Sequence, residues 1–200
     1  MAEENFDTFS FDYYSNEITE KAGGDTSLER IVKVVETCRR FVRDFDNVFA
    51  NLFFYGDTGV GKTFLSHCIA KELLDSTHSV VYFSAQELFS AFARNRFEKS
   101  EETEGYADAI YDCDLLIIDD LGTELTNSFV ASELFLCINE RLTNHRSTII
   151  STNLSLKAFA EIYSERIFSR ISSNYTMLKL FGKDIRIMKK IGQKYNKTEE

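Results

Sequence analysis

Residues 56–63 read Gly-Asp-Thr-Gly-Val-Gly-Lys-Thr and follow directly on the apolar run Asn51-Leu52-Phe53-Phe54-Tyr55. A Gly-x-x-x-x-Gly-Lys-[Ser/Thr] segment restricts the fold more than any other feature of this chain. Its glycines let backbone N–H groups turn inward around a phosphate, and the helix beginning near Lys62 points its positive end at the same charge. The apolar strand before and the helix after are the context that phosphate binding requires, and a chance glycine turn is the lesser reading. Gly56, Asp57, Thr58, Gly59, Val60, Gly61, Lys62, Thr63 and Phe64 are therefore candidate nucleotide-binding residues. Lys62 would reach the β- and γ-phosphates of ATP, or the β-phosphate of ADP, and the Thr63 hydroxyl would ligate Mg²⁺.

The rest of the chain alternates in the same sense. Leu28, Ile31, Val35, Cys38, Val42 and Phe45 recur at spacings of three and four behind the capping box Thr26-Ser27-Leu28-Glu29, which predicts an amphipathic helix. Helical patterns over about 62–75, 86–111 and 127–144 alternate with apolar strands at 51–55, 79–84, 114–118 and 147–152. Strands apolar along their length and separated by helices predict a parallel sheet covered on both faces. The chain of 200 residues divides into an acidic, aromatic arm (1–25), one domain (26–190) and a polar tail (191–200). The arm holds seven acids against one lysine, so its charge predicts an extended segment whose aromatics (Phe6, Phe9, Phe11, Tyr13, Tyr14) lie on the domain.

The net charge of −9 argues against strong unaided binding to nucleic acid, although the stretch from Gly182 carries six bases against three acids. The dispersed cysteines Cys38, Cys68, Cys113 and Cys137 have no metal-ligand spacing and read as small buried residues. No apolar run of membrane-span length and no basic signal start occur, which predicts a soluble, cytoplasmic protein with no membrane partner.

A second acidic motif follows. Leu115-Leu116-Ile117-Ile118-Asp119-Asp120 sets two carboxylates at the carboxyl end of a buried strand, the edge where open α/β sheets bind ligands. Asp119 is placed to hold Mg²⁺ and Asp120 to orient and polarise the attacking water. Two solvated acids opening a loop are the alternative. Asn153, at the tip of Ser147-Thr-Ile-Ile-Ser-Thr-Asn, is placed to hold that water or the γ-phosphate, or is an ordinary turn residue. Arg166 and Arg170, four apart, share a helical face. Spacing leaves two readings: a solvated basic face paired with Glu161 or Glu165, and an arginine finger for a neighbouring subunit.

Taken in order, the phosphate loop, Leu-Leu-Ile-Ile-Asp-Asp-Leu-Gly-Thr-Glu, Ile-Ile-Ser-Thr-Asn-Leu, Glu-Arg-Ile-Phe-Ser-Arg-Ile and Gly-Lys-Asp-Ile-Arg resemble the AAA+ ATPase domain of the bacterial helicase loaders of the DnaC and DnaI type, with the IstB-like transposition helpers as close relatives. The resemblance runs from about residue 26 to 190, and the arm Phe6 to Tyr14 is similar to the segment before that domain. It implies an α/β P-loop NTPase fold of AAA+ type, a parallel five-stranded sheet with helices on both faces, and a lid domain reduced or absent. By position, Lys62 and Thr63 resemble the Walker A lysine and hydroxyl, Asp119 and Asp120 the Walker B pair, and Asn153 the sensor 1 residue. Arg170 resembles the trans-acting arginine finger, with Arg166 as second choice, and Arg186 the sensor 2 arginine acting within its own subunit.

The implied activity is ATP hydrolysis coupled to helicase loading in DNA replication, slow in an isolated monomer and switched on by assembly into a ring or spiral. The implied partner is a replicative DNA helicase, gripped in such loaders by an N-terminal domain for which the chain has no room, as in a truncated chain or short paralogue. Single-stranded DNA is a weaker candidate partner: Arg94, Arg96 and Lys99 interleave with Phe92 and Phe97, but residues 98–108 add five acids. The other readings are a transposition helper acting on a transposase, a nucleotide-gated binding module with little turnover, and a small-molecule P-loop kinase. The last would need an acceptor pocket and an arginine-rich lid, and none stands out.

Overall fold

The computed structural model describes residues 4–20, 24–98 and 101–196. In chain order the elements are α1 (Ser27–Arg43), β1 (Leu52–Gly56), α2 (Lys62–Asp75), β2 (Val80–Ser84), α3 (Ala85–Glu98), α4 (Glu101–Asp112), β3 (Leu115–Asp119), α5 (Ser128–Thr143), β4 (Ser147–Thr152), α6 (Leu156–Tyr163), α7 (Glu165–Asn174), β5 (Thr176–Leu180) and α8 (Ile185–Asn196). The strands form one sheet in the order β2-β3-β4-β1-β5 with every pair parallel. All strand carboxyl ends therefore share one edge, and the functional candidates collect there.

The pleat explains why the strands read as unbroken apolar runs. Successive side chains point to opposite faces, and both faces are covered. Leu52, Phe54, Leu115, Ile117 and Ile149 enter the core beneath α1 and α2. Their neighbours Phe53, Leu116, Ile118 and Ile150 enter a second core with Leu88 of α3, Leu134 and Ile138 of α5, Phe159 of α6 and Ile171 of α7. α1 starts as its capping box requires: the Glu29 amide donates to Thr26 Oγ1 at 3.1 Å, and Glu29 Oε2 accepts from the Thr26 amide at 2.8 Å. All four cysteines are buried.

Three details differ from the sequence expectation or refine it. Residues 86–111 form two helices, α3 and α4, rather than one stretch of helical material. The fifth strand, which periodicity did not locate, is β5, an edge strand pairing only with β1. After β5 the described residues add a single helix, α8, where a lid would sit. Asp184 caps it, accepting from the Arg186 amide at 2.9 Å. No helix among the described residues is long and apolar enough to cross a membrane.

The acidic arm lies on the domain through its aromatics. Phe6 and Tyr14 are buried, Phe9 meets Phe64 of α2 edge-on with ring centroids 5.7 Å apart, and the Arg39 guanidinium stacks 5.0 Å above the Phe6 ring. Glu20 takes the ammonium of Lys179 at 2.8 Å and the guanidinium of Arg30 at 2.7 Å, which ties the arm to β5 and α1.

Candidate nucleotide-binding site

β1 ends at Gly56, and the chain turns through residues 57–61 before α2 starts at Lys62. Gly59 and Gly61 have φ of 72° and 99°, the left-handed region that favours glycine. Space is tight as well. A Cβ on Gly61 would lie 2.8 Å from the Tyr14 hydroxyl, and one on Gly59 would lie 2.2 Å from Asp184 Cγ. The loop is tied down from outside. Ile185 N donates to Gly59 O at 2.9 Å and the Tyr14 hydroxyl to Val60 O at 2.9 Å, so both carbonyls are engaged. Asp57 N donates to Leu180 O at 3.2 Å, and Asp57 Oδ2 accepts from Gly182 N at 3.3 Å.

Lys62 is 5 % exposed, and its ammonium donates to Gly56 O (2.9 Å), Asp57 O (2.5 Å) and Asn153 Oδ1 (2.6 Å). Burial pulls its pKa down to about 8, against the opposing pull of the Asp120, Asp57 and Asp119 charges. Asn153 passes the contact on, its Nδ2 donating to Asp120 Oδ1 at 3.2 Å. The Asp120 carboxyl is held above the usual carboxylate range, by burial first and then by the neighbouring charge of Asp119. Asp120 has φ 55°, an uncommon backbone for a non-glycine residue at the point where the chain leaves β3.

Asp119 is buried and fully engaged. Its Oδ2 accepts from the Thr63 hydroxyl (2.9 Å) and the Tyr82 hydroxyl (2.5 Å), and its Oδ1 accepts from the Ser151 hydroxyl. The same Ser151 oxygen accepts from the Asp120 amide at 3.0 Å. Thr63 and Asp119 thus set a hydroxyl and a carboxylate side by side. That all-oxygen pair suits a small hard cation that completes its octahedron with phosphate oxygens and water, and the residues present fit Mg²⁺.

These groups line a cavity of about 470 Å³ at the sheet edge. Thr58, Gly59, Gly61, Lys62, Thr63, Phe64, Asp119, Asp120, Asn153 and Arg186 are all on its wall. The Arg186 guanidinium meets the Asp184 carboxylate at 3.1 Å. The wall also has contributors that motif reading did not assign. Glu4, Phe9, Tyr13 and Tyr14 come from the arm, and Ile185 and Lys189 from α8. The Glu4 carboxylate bonds His67 Nδ1, and the Lys189 ammonium lies 5.4 Å from the centre of the Tyr13 ring.

Arg170 is not on that wall. It is exposed on α7, one turn beyond Arg166. The expected pairing with Glu161 or Glu165 does not form: Arg166 stacks 4.0 Å over the Phe135 ring, while Glu161 meets Lys157 at 3.8 Å. The apolar ring nearby wins because it holds the flat guanidinium without stripping its edge of water. The α3 stripe also departs from expectation. Phe92 is 3 % exposed and belongs to the core, so it offers no stacking face, whereas Arg94, Arg96 and Phe97 are exposed, Phe97 at 77 % although its ring centroid lies 6.1 Å from that of Phe129. Lys99 lies outside the described residues.

Residues 18–186 match the family model described as IstB-like ATP binding protein. The replicative helicase loader DnaC of Escherichia coli strain K12 is 23 % identical over 164 residues, 82 % of this chain and 67 % of that protein. The insertion sequence ATP-binding protein y4pL of Sinorhizobium fredii is 30 % identical over 152 residues, 72 % of this chain and 59 % of that protein. Among solved structures, that of the DnaC helicase loader superposes with a TM-score of 0.71 at 24 % identity, over 89 % of this chain and 97 % of that one.

Proposed function

The chain belongs to the IstB-like ATP-binding protein family, and from that premise we propose that it hydrolyses ATP as an AAA+ switch of the helicase-loader type, its site completed by an arginine from a second subunit. The observation that carries this reading is the unbroken chain of contacts from Lys62 through Asn153 to Asp120, with the Thr63–Asp119 pair beside it. Phosphoryl transfer asks little covalent chemistry of a protein. It asks that phosphate, metal and water be held in line and the developing charge be met.

Each part has a residue. The amides of the 56–61 turn and the Lys62 ammonium bind the β- and γ-phosphates. Thr63 and Asp119 would hold Mg²⁺, which when bound would supply neutralisation of phosphate charge. Asp120, held above the usual carboxylate range by burial and the Asp119 charge, orients the attacking water, and Asn153 fixes Asp120 while meeting the γ-phosphate. Arg186 reaches the γ-phosphate from the same chain once it leaves Asp184. Phe9, Tyr13 and Ile185 give the cavity an apolar wall suited to a base.

Both arginines are exposed and off the wall of their own cavity, and Arg170 is read as the trans residue because Arg166 is committed to Phe135. An arginine supplied in trans is worth about 10³–10⁵ in rate. The ATPase rate per subunit is therefore expected to rise with protein concentration, and Arg170→Ala to remove the rise while sparing ATP affinity. A concentration-independent wild-type rate would refute the trans assignment. Lys62→Ala should weaken nucleotide binding itself, and unchanged affinity would overturn the loop assignment.

The family description and the y4pL likeness favour a second reading, a transposition helper with the same site. Pull-down by the full-length protein with ATP or ADP separates the two: capture of a replicative helicase supports the loader, capture of a transposase the helper.

A further inference from the structure

Glu124 lies in the loop that leaves the acid pair, and both of its carboxylate oxygens are used. Oε2 accepts from Gly122 N at 3.0 Å, and Oε1 accepts from the hydroxyl of Tyr163. The foot of this loop is fixed on β4 beside Asn153: Leu121 N donates to Ser151 O at 2.8 Å, and Leu121 O accepts from Thr152 Oγ1 at 2.5 Å. Its far end reaches Tyr163, the last residue of α6, which is 0 % exposed and packs against Phe159 with centroids 4.8 Å apart.

The next residue is the joint on which α7 turns. Ser164 has φ 94° and ψ 149°, a conformation nearly reserved for glycine. Its amide closes α6 on Ala160 O at 3.0 Å, and its carbonyl opens α7 by accepting from Phe168 N at 3.1 Å. One strained residue thus sets the direction of α7, and such strain persists only where the surroundings dictate it. Arg166 on Phe135 fixes the rotation of the helix, and Arg170 follows one turn on.

We propose that Glu124 and Tyr163 are positioning residues for Arg170: the strut from the acid-pair loop to the Ser164 joint sets where α7 presents its arginine to the neighbouring subunit. This rests on the reading of Arg170 as a trans residue. The strut ties the loop behind a subunit's own acid pair to the arginine it lends away.

The test uses Tyr163→Phe and Glu124→Ala in the full chain, with melting temperature as a fold check. Each variant should keep its ATP affinity and KM while the assembly-dependent kcat falls by about tenfold or more, the scale of a charge-assisted hydrogen bond lost from an aligned group. Tyr163→Phe removes one bond, and Glu124→Ala removes that bond and the one from Gly122 N, so the double variant should lose no more than Glu124→Ala alone. Mixing either variant with Lys62→Ala, whose pocket is disabled and whose Arg170 is intact, should restore the rate. Variants with wild-type rates, while Arg170→Ala is impaired, would overturn the strut and leave the trans arginine standing. Losses that Lys62→Ala does not rescue would put the defect in the variant's own pocket and also overturn it. An Arg170→Ala protein that keeps the wild-type concentration dependence would defeat the trans reading itself, and the strut with it.

Discussion

The depressed pKa of Lys62 makes nucleotide affinity depend on pH in a calculable way. Burial brings the ammonium down to about 8 from an ordinary value of 10.5. Phosphate binding needs the charged form, and a bound triphosphate stabilises that charge, returning the pKa to the ordinary range or above. The sign follows: the ligand-free pKa lies below the bound one, so affinity is full below pH 8 and falls as pH rises through it. With values of about 8 free and at least 10.5 bound, the dissociation constant grows about tenfold between pH 7 and pH 9, or about 1.4 kcal/mol. Proton uptake grows with it, from about 0.1 proton per nucleotide at pH 7 to about 0.9 at pH 9. Isothermal titration with MgADP in buffers of different ionisation enthalpy reads both quantities. Lys62→Arg, which keeps its charge throughout, should show no pH step whatever its absolute affinity. A wild-type dissociation constant that stays flat from pH 7 to 9, without proton uptake, would refute the burial argument.

Other perturbations follow from single contacts. Arg141 is 0 % exposed and donates to the carbonyls of Ile110, Tyr111, Cys113 and Ser147, so Arg141→Met should cost about 3–5 kcal/mol and lower the melting temperature by about 6–15 °C; a shift under 2 °C would contradict it. Gly61→Ala meets both a left-handed backbone and the Tyr14 hydroxyl, and should abolish nucleotide binding in a fluorescence titration. Ser151→Ala removes the oxygen shared by Asp119 and the Asp120 amide, and should lower kcat by about tenfold or more with ATP affinity nearly unchanged.

What the sequence displayed, and what it did not, divides along physical lines. The phosphate loop is legible because only certain residue types allow its backbone, and the central strands because burial on both faces makes them apolar throughout. β5 is hidden because it is an edge strand: Thr176 is exposed, Lys179 is spent on Glu20, and a half-covered strand of five residues looks like a loop. Tyr82 and Ser151, which hold Asp119, sit in otherwise apolar or β-forming strands, where nothing local separates a working hydroxyl from a packed one. Arg141 bonds carbonyls 28 to 31 residues away in the chain as well as its own neighbourhood, and such a partnership leaves no trace in spacing. The arm shows its aromatics openly. That they would wall the cavity depends on a path around α1 that composition does not encode.

That path has a mechanical consequence. Beside the loop the arm is fastened by side chains, a phenol on Val60, one ring on Phe64 and a carboxylate on His67, and its backbone is tied only near α1, where Thr19 bridges Thr26 and the Ser27 amide donates to Ile18 O at 2.8 Å. Such fastenings open at far lower cost than the sheet does. Tension on the amino-terminal segment would therefore unzip one side of the cavity and let its contents drift out, with the five strands undisturbed. Under such a pull the peptide ahead of α1 would act as a drawstring, turning a force from outside the domain into a shorter residence time within it.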